Sequence, residues 1–168
     1  MSTAGRVGGA SALKPNASLR ELQHAFRDAD VPELTAIVGV HDGEILGPAW
    51  LRNGAVLTMR LCGMRGWCGK VFRSATANGD ALDGENLVRR DGRSEPSIPM
   101  RARMGSSRVD GRPAIVLSYR ADAQFPWARV TDELRPLDDQ TLLGLSFGVP
   151  LGPRHGTPFL LRRVNGTG

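Results

Sequence analysis

Four polar side chains of this sequence are of types that could carry chemistry: His41, Lys70, Tyr119 and Asp132. His41 lies in Gly39-Val40-His41-Asp42-Gly43, on a strand rich in Ala, Ile, Val and Gly. Turned inward, an imidazole there is free to shift its pKa and serve as a base or ligand. Turned to a barrel end, it is merely hydrogen-bonded. Lys70 closes Gly66-Trp67-Cys68-Gly69-Lys70 and is the only lysine besides Lys14. A buried lysine becomes a nucleophile or an acid, whereas an exposed one is solvated. Tyr119, the single tyrosine, alternates with Ile115 and Leu117. Its hydroxyl near a mouth can hydrogen-bond a ligand carbonyl or act as a general acid; the plain alternative is a core tyrosine with a wet tip.

Asp132 shares a strand face with Val130 and Leu134, while Glu133 takes the other face. Pleat geometry therefore excludes a carboxylate dyad unless a bulge intervenes. If the Val130–Leu134 face is core, Asp132 is a lone buried carboxylate that needs a partner. Arg101, Arg103 or Arg120 would supply it, as a site or as a structural tie. Trp67 and Lys70 lie three apart, so a regular strand sends them to opposite sides, with Trp67 as a ring closing the core. His41, Tyr119 and Asp132 are thus the candidate catalytic groups. Trp67, Lys70, Arg101 and Trp50 are the candidate ligand contacts. His155, between glycines in Gly152-Pro153-Arg154-His155-Gly156, is a poor proximal haem ligand. His24, His41, His155, Cys62 and Cys68 show no metal-ligand spacing. No phosphate loop or GxSxG elbow occurs. Neither a metal nor a cofactor is expected.

Pattern also places the elements that carry these groups. Residues 1–17 are small and polar and read as a disordered arm, ahead of one domain over 18–165. Ser18-Leu19-Arg20-Glu21 fits a capping box, opening a helix that stops by Asp30, before Val31-Pro32. That helix is expected to plug a barrel end. Thr35 to Leu46 reads as a first strand, and a second helix runs from Ala49 to about Cys62. Strands come next near 67–74, 81–89, 98–108, 112–120, 129–137, 141–149 and 157–164. Asp110-Gly111 reads as a two-residue hairpin. About eight strands joined by hairpins make an all-β, antiparallel, lipocalin-like barrel with one N-terminal helix and one helix after the first strand, a size that encloses one small molecule.

The chain has 168 residues and a net charge of +5. Its arginines are scattered rather than clustered, which argues against a nucleic-acid partner. No run is apolar enough to span a bilayer, and residues 1–17 lack the apolar stretch of a leader, so none is expected. A cytoplasmic chain with free thiols is expected, as a monomer or homodimer.

The motifs Gly39–Gly43 and Gly66-Trp67-Cys68-Gly69-Lys70-Val71-Phe72, together with Arg108-Val109-Asp110-Gly111-Arg112-Pro113-Ala114 and Asp132-Glu133-Leu134-Arg135, resemble those of the GXWXG-type lipocalin-like bacterial barrels. The likeness covers most of residues 33–164, with His41 where that family carries tryptophan. It implies the barrel fold and no settled activity. Nitrobindin-like haem barrels and cofactor-free cyclases use similar shells. The expected function is to hold one small, largely apolar organic molecule in the interior. Glycines 39, 43, 69 and 144 are expected to leave room for it. The alternative is a cofactor-free cyclase or isomerase acting on a polyene or polyketide-like substrate through proximity and a polarised carbonyl.

Overall fold

A computed structural model describes residues 13–74 and 78–165. The expected disordered arm lies outside them as far as residue 12. Residues 13–17 are described: Leu13 and Ala17 pack against the domain, and the Pro15 carbonyl accepts from Gly47.

Eight strands close into one antiparallel barrel in sequence order: β1 (Gly39–Ile45), β2 (Trp67–Ser74), β3 (Leu82–Arg90), β4 (Arg93–Ser106), β5 (Pro113–Tyr119), β6 (Thr131–Asp138), β7 (Thr141–Phe147) and β8 (Thr157–Arg163). β8 pairs back with β1, for example Gly43 with Leu161, so no edge remains. Side chains alternate in and out along each strand. The inward set, including Phe72, Leu82, Ile115, Leu117, Leu134 and Leu161, fills the lumen.

Helix α1 (Leu19–Asp28) opens on the expected capping box: the Ser18 hydroxyl accepts from the Glu21 amide, and the Glu21 carboxylate accepts from the Ser18 amide. It does not plug an end. Leu22 and Phe26 pack on the outer wall, over the outward Leu143, Leu145, Phe147 and Leu160. The reason is the unusual outward face of β7 and β8, which is apolar instead of solvated. The last turn of α1 leaves carbonyls without helical partners. Arg135 donates to the Phe26 carbonyl at 3.0 Å, and Arg112 donates to those of Arg27 and Ala29. Arg135 is fully buried, clamps Asp110 through two bonds of 2.7 Å and lies over the Phe26 ring.

The helix that does cap the barrel is α2 (Ala49–Leu61), between β1 and β2. It buries Leu51 and Ala55 and leaves Trp50, Leu57 and Leu61 exposed. Two further expectations change. Asp110-Gly111 is not a two-residue hairpin but part of a six-residue loop (107–112), because Asp110 is held by Arg135. A two-residue turn with positive φ at both positions, as a type I′ hairpin requires, is found instead at Asp91-Gly92, joining β3 to β4.

Candidate functional site

The decisive local feature is a bulge in β2. The register with β3 shifts between Trp67 and Gly69, where Gly69 approaches the His41 carbonyl too closely for any side chain. One extra residue flips the parity of the rest of the strand. Trp67 and Lys70, expected on opposite sides, therefore both face the lumen. The Trp67 ring lies over Gly43 on β1, where a Cβ would overlap the indole. Gly144 serves Phe159 in the same way. The space that these glycines leave is filled by aromatic rings, which corrects the expectation that it is vacant.

Lys70 is 3% exposed and lies at the centre of a polar cluster near the α2 end. Its three N–H groups are accounted for: they reach Asn86 Oδ1 at 2.8 Å, Asp132 Oδ2 at 2.9 Å and Tyr119 Oη at 3.2 Å. Tyr119 donates to Asp132 Oδ2 at 3.1 Å, and Ser146 donates to Asp132 Oδ1 at 2.6 Å. Asn86 Oδ1 also accepts from the Trp67 indole N–H at 3.1 Å, and its amide N–H₂ donates to Tyr119 at 3.3 Å. Five strands, β2, β3, β5, β6 and β7, thus meet in one network.

Asp132 faces inward as strand parity requires, and its cationic partner is Lys70. Arg101 lies on the outer face, half-exposed and 3.8 Å from Asp83. Arg120 is exposed and holds Asp122. Glu133, on the opposite face, is buried beneath the 107–112 loop, where Ser107 and the Arg108 amide donate to it. Asp132 and Glu133 are therefore both buried, on opposite faces of one strand. Trp50 points outward on α2 and is 64% exposed. Asn86 and Ser146 escaped the sequence reading. The signal was there: each is a polar residue at an inward position among Leu82 and Gly84, or Leu142 and Gly144.

The network sets its own protonation. Burial alone would drive the Lys70 ammonium down, but the Asp132 charge, then Tyr119, reverse this and raise it. Burial, reinforced by Asp132, pushes the Tyr119 phenol up to about 12. Both groups carry protons at neutral pH, so this cluster donates hydrogen bonds and neither group works as a base. Above it is a cavity of about 40 Å³, with Met59, Met64, Ala55, Val149 and Trp127 among its apolar walls. That is room for about one or two waters.

No family model matches the chain, and no curated protein matches it. A solved structure, that of a protein from Thermomonospora curvata, superposes with a TM-score of 0.65 at 20% identity, over 89% of this chain and 90% of that one. This likeness shows the fold: an all-β closed barrel.

His41 is not part of the Lys70 cluster. It pairs with Lys70 across the β1–β2 register, yet its ring packs edge-on to Phe72, centroids 5.8 Å apart, and lines a separate cavity at the other mouth. His41 and Tyr119, both candidate catalytic groups from the sequence, therefore line different cavities. Burial, then the nearby Arg163 charge, push the imidazole down to about 4. Cys62 and Cys68 are free thiols. No helix of the described residues is long and apolar enough to cross a membrane.

Proposed function

We propose that the barrel holds one small, largely apolar organic molecule at its α2 end, with a single oxygen acceptor of that molecule set on the Lys70–Tyr119 donors. The observation that carries this reading is a desolvated Lys70–Asp132 pair, with a protonated tyrosine beside it, at the base of an otherwise apolar cavity. Apolar walls with a few convergent polar groups are the general pattern of ligand sites. Lys70 donates to Tyr119 at 3.2 Å and Tyr119 to Asp132 at 3.1 Å; an incoming oxygen would take both protons, while Asp132 keeps the Lys70 ammonium and the Ser146 hydroxyl as donors. The cavity must widen for this. Met59 and Met64 supply unbranched, adaptable side chains, and α2 rests on few buried residues. Motion of this lid admits the ligand.

A second reading, a cofactor-free cyclase or isomerase, is favoured by the same donors. An ammonium and a phenol aimed at one carbonyl would stabilise the charge that develops on its oxygen. Membership of the GXWXG-type barrels is supported by the packing of its two glycine motifs as one unit, Trp67 over Gly43. Surface arginines spent on carboxylates, such as Arg73 on Glu85 and Arg162 on Glu44, speak against a nucleic-acid partner.

The test is a titration with medium-chain ketones and the matching alkanes, read by Trp fluorescence and native mass spectrometry. Ketones should bind one per chain, about tenfold more tightly than alkanes, the value of one good hydrogen bond. Tyr119→Phe should shrink that ratio. Equal affinity for ketone and alkane, or no saturable binding of either, would overturn the reading.

A further inference from the structure

The opposite mouth has different chemistry. Its cavity is about 470 Å³ and open, within the range of small-molecule sites. His41 forms part of its inner wall and is 2% exposed. The Nδ1 of His41 is buried with no hydrogen-bond partner. An unsatisfied buried polar atom is costly and rare, and a turn of the ring that brings this closed-off nitrogen to a bound group would recover the cost. The charge around this mouth is opposite to that of the chain as a whole. Asp30, Glu33, Asp138 and Asp139 line it, against Arg163. Arg163 is turned into the protein: its guanidinium donates to the Val38 carbonyl at 2.8 Å and to that of Ala36, bracing the turn before β1. Ile37, Val31 and Leu142 give the same cavity an apolar lining.

We propose that this mouth is a second ligand site that takes a small organic cation, an ammonium or amidinium head on an apolar body, with His41 in its inner wall and carboxylates around its rim. The imidazole is neutral at physiological pH, held so by burial and by Arg163. It therefore meets a cationic head as a hydrogen-bonding group and not as a like charge. Rim carboxylates supply the field that favours a cation over an anion of the same shape. This site is separate from the Lys70 cluster and stands whether or not a ketone binds there.

The experiment uses the full chain with ¹⁵N-labelled histidine and three probes of one shape: benzylammonium, benzyl alcohol and benzoate. Three histidines make the imidazole spectrum simple to assign. Benzylammonium should bind saturably, shift the His41 ring resonances and leave those of His24 and His155 in place. The exposed pair Glu33→Gln with Asp139→Asn should weaken it about fivefold without touching the core, and added salt should do the same. Benzoate should bind more weakly than the cation. Equal binding of benzoate, saturable binding that leaves the His41 signals unmoved, or no saturable binding of benzylammonium would each overturn the proposal.

Discussion

The two ends of this barrel solve the problem of buried polarity in opposite ways. At the α2 end, Lys70, Asp132, Tyr119, Asn86 and Ser146 complete one another, and only about 40 Å³ of space is left. At the other end His41 keeps one nitrogen unpaired beside a cavity more than tenfold larger. Both sit on the same pair of strands, with Lys70 and His41 as register partners. The satisfied end is a rigid donor array that needs a moving lid. The unsatisfied end needs no lid, and its site is already open. Satisfaction of hydrogen bonds, more than burial, separates a polar group that holds the fold from one that awaits a partner.

The largest effect expected is at the satisfied end. Lys70→Met strands Asp132 in the lumen without its cation, and removal of one member of a buried pair costs about 3–5 kcal/mol. Chemical denaturation should show that loss. Adding Asp132→Leu should restore part of it, because the orphaned charge goes too. If Lys70→Met alone is neutral, the cluster is not sealed from water.

The next effect sharpens the contrast by acid. The folded-state pKa of His41 lies near 4, below its ordinary value of 6.5. Its contribution is complete above about pH 6.5 and is lost as pH falls below that value, because the unfolded chain takes up the proton first. The full shift corresponds to about 3 kcal/mol by pH 4. Melting temperature of wild type minus that of His41→Leu, followed from pH 7 to 4, should fall steadily. Asp110 acts in a lower window: Arg135 holds its carboxyl at about 2 instead of 3.8, so its contribution persists until pH drops below about 3.8. A flat difference for His41 above pH 4 would remove the distinction between the two ends.

Smaller still is Tyr119→Phe. It deletes one donor and two acceptor contacts but leaves the ion pair, so about 1–2 kcal/mol should be lost at unchanged denaturant slope. Smallest are Arg101→Ala and Trp50→Ala. Both side chains lie outside the barrel and should change stability by about 0.5 kcal/mol or less, with no effect on ketone affinity. A binding defect in either would move the candidate site to the outer surface.

The fold was legible because strand alternation and turn residues are local signals. Every strand after the first begins and ends within a few residues of its expected place, except that β4 starts early. There Pro96 and Pro99 mask five strand residues that pair across a bulge with β3. The inward direction of Tyr119 and Asp132 came from parity alone. Parity failed at Lys70, since one bulge at Gly69 inverts it, although a glycine inside a strand was the available warning. The position of α1 was not legible. Its apolar stripe at Leu22 and Phe26 says that it packs, not on which surface. The buried Arg135 and Glu133 read as ordinary surface charges until the outer wall is known to be covered.

That covering of the outer wall has a consequence for how the chain is made. Helix α1 leaves the ribosome before the wall of β6 to β8 on which it packs; the Phe26 carbonyl waits for Arg135, 109 positions downstream. β1 likewise waits for β8 to close the ring. Helix α1 must remain without the wall it packs on, and β1 without one of its two neighbouring strands, until nearly the whole domain has left the ribosome. Contacts of such long sequence separation fold slowly. In a ribosome-release series, protection of α1 should arise in one step, when the last strand emerges, and not gradually with length.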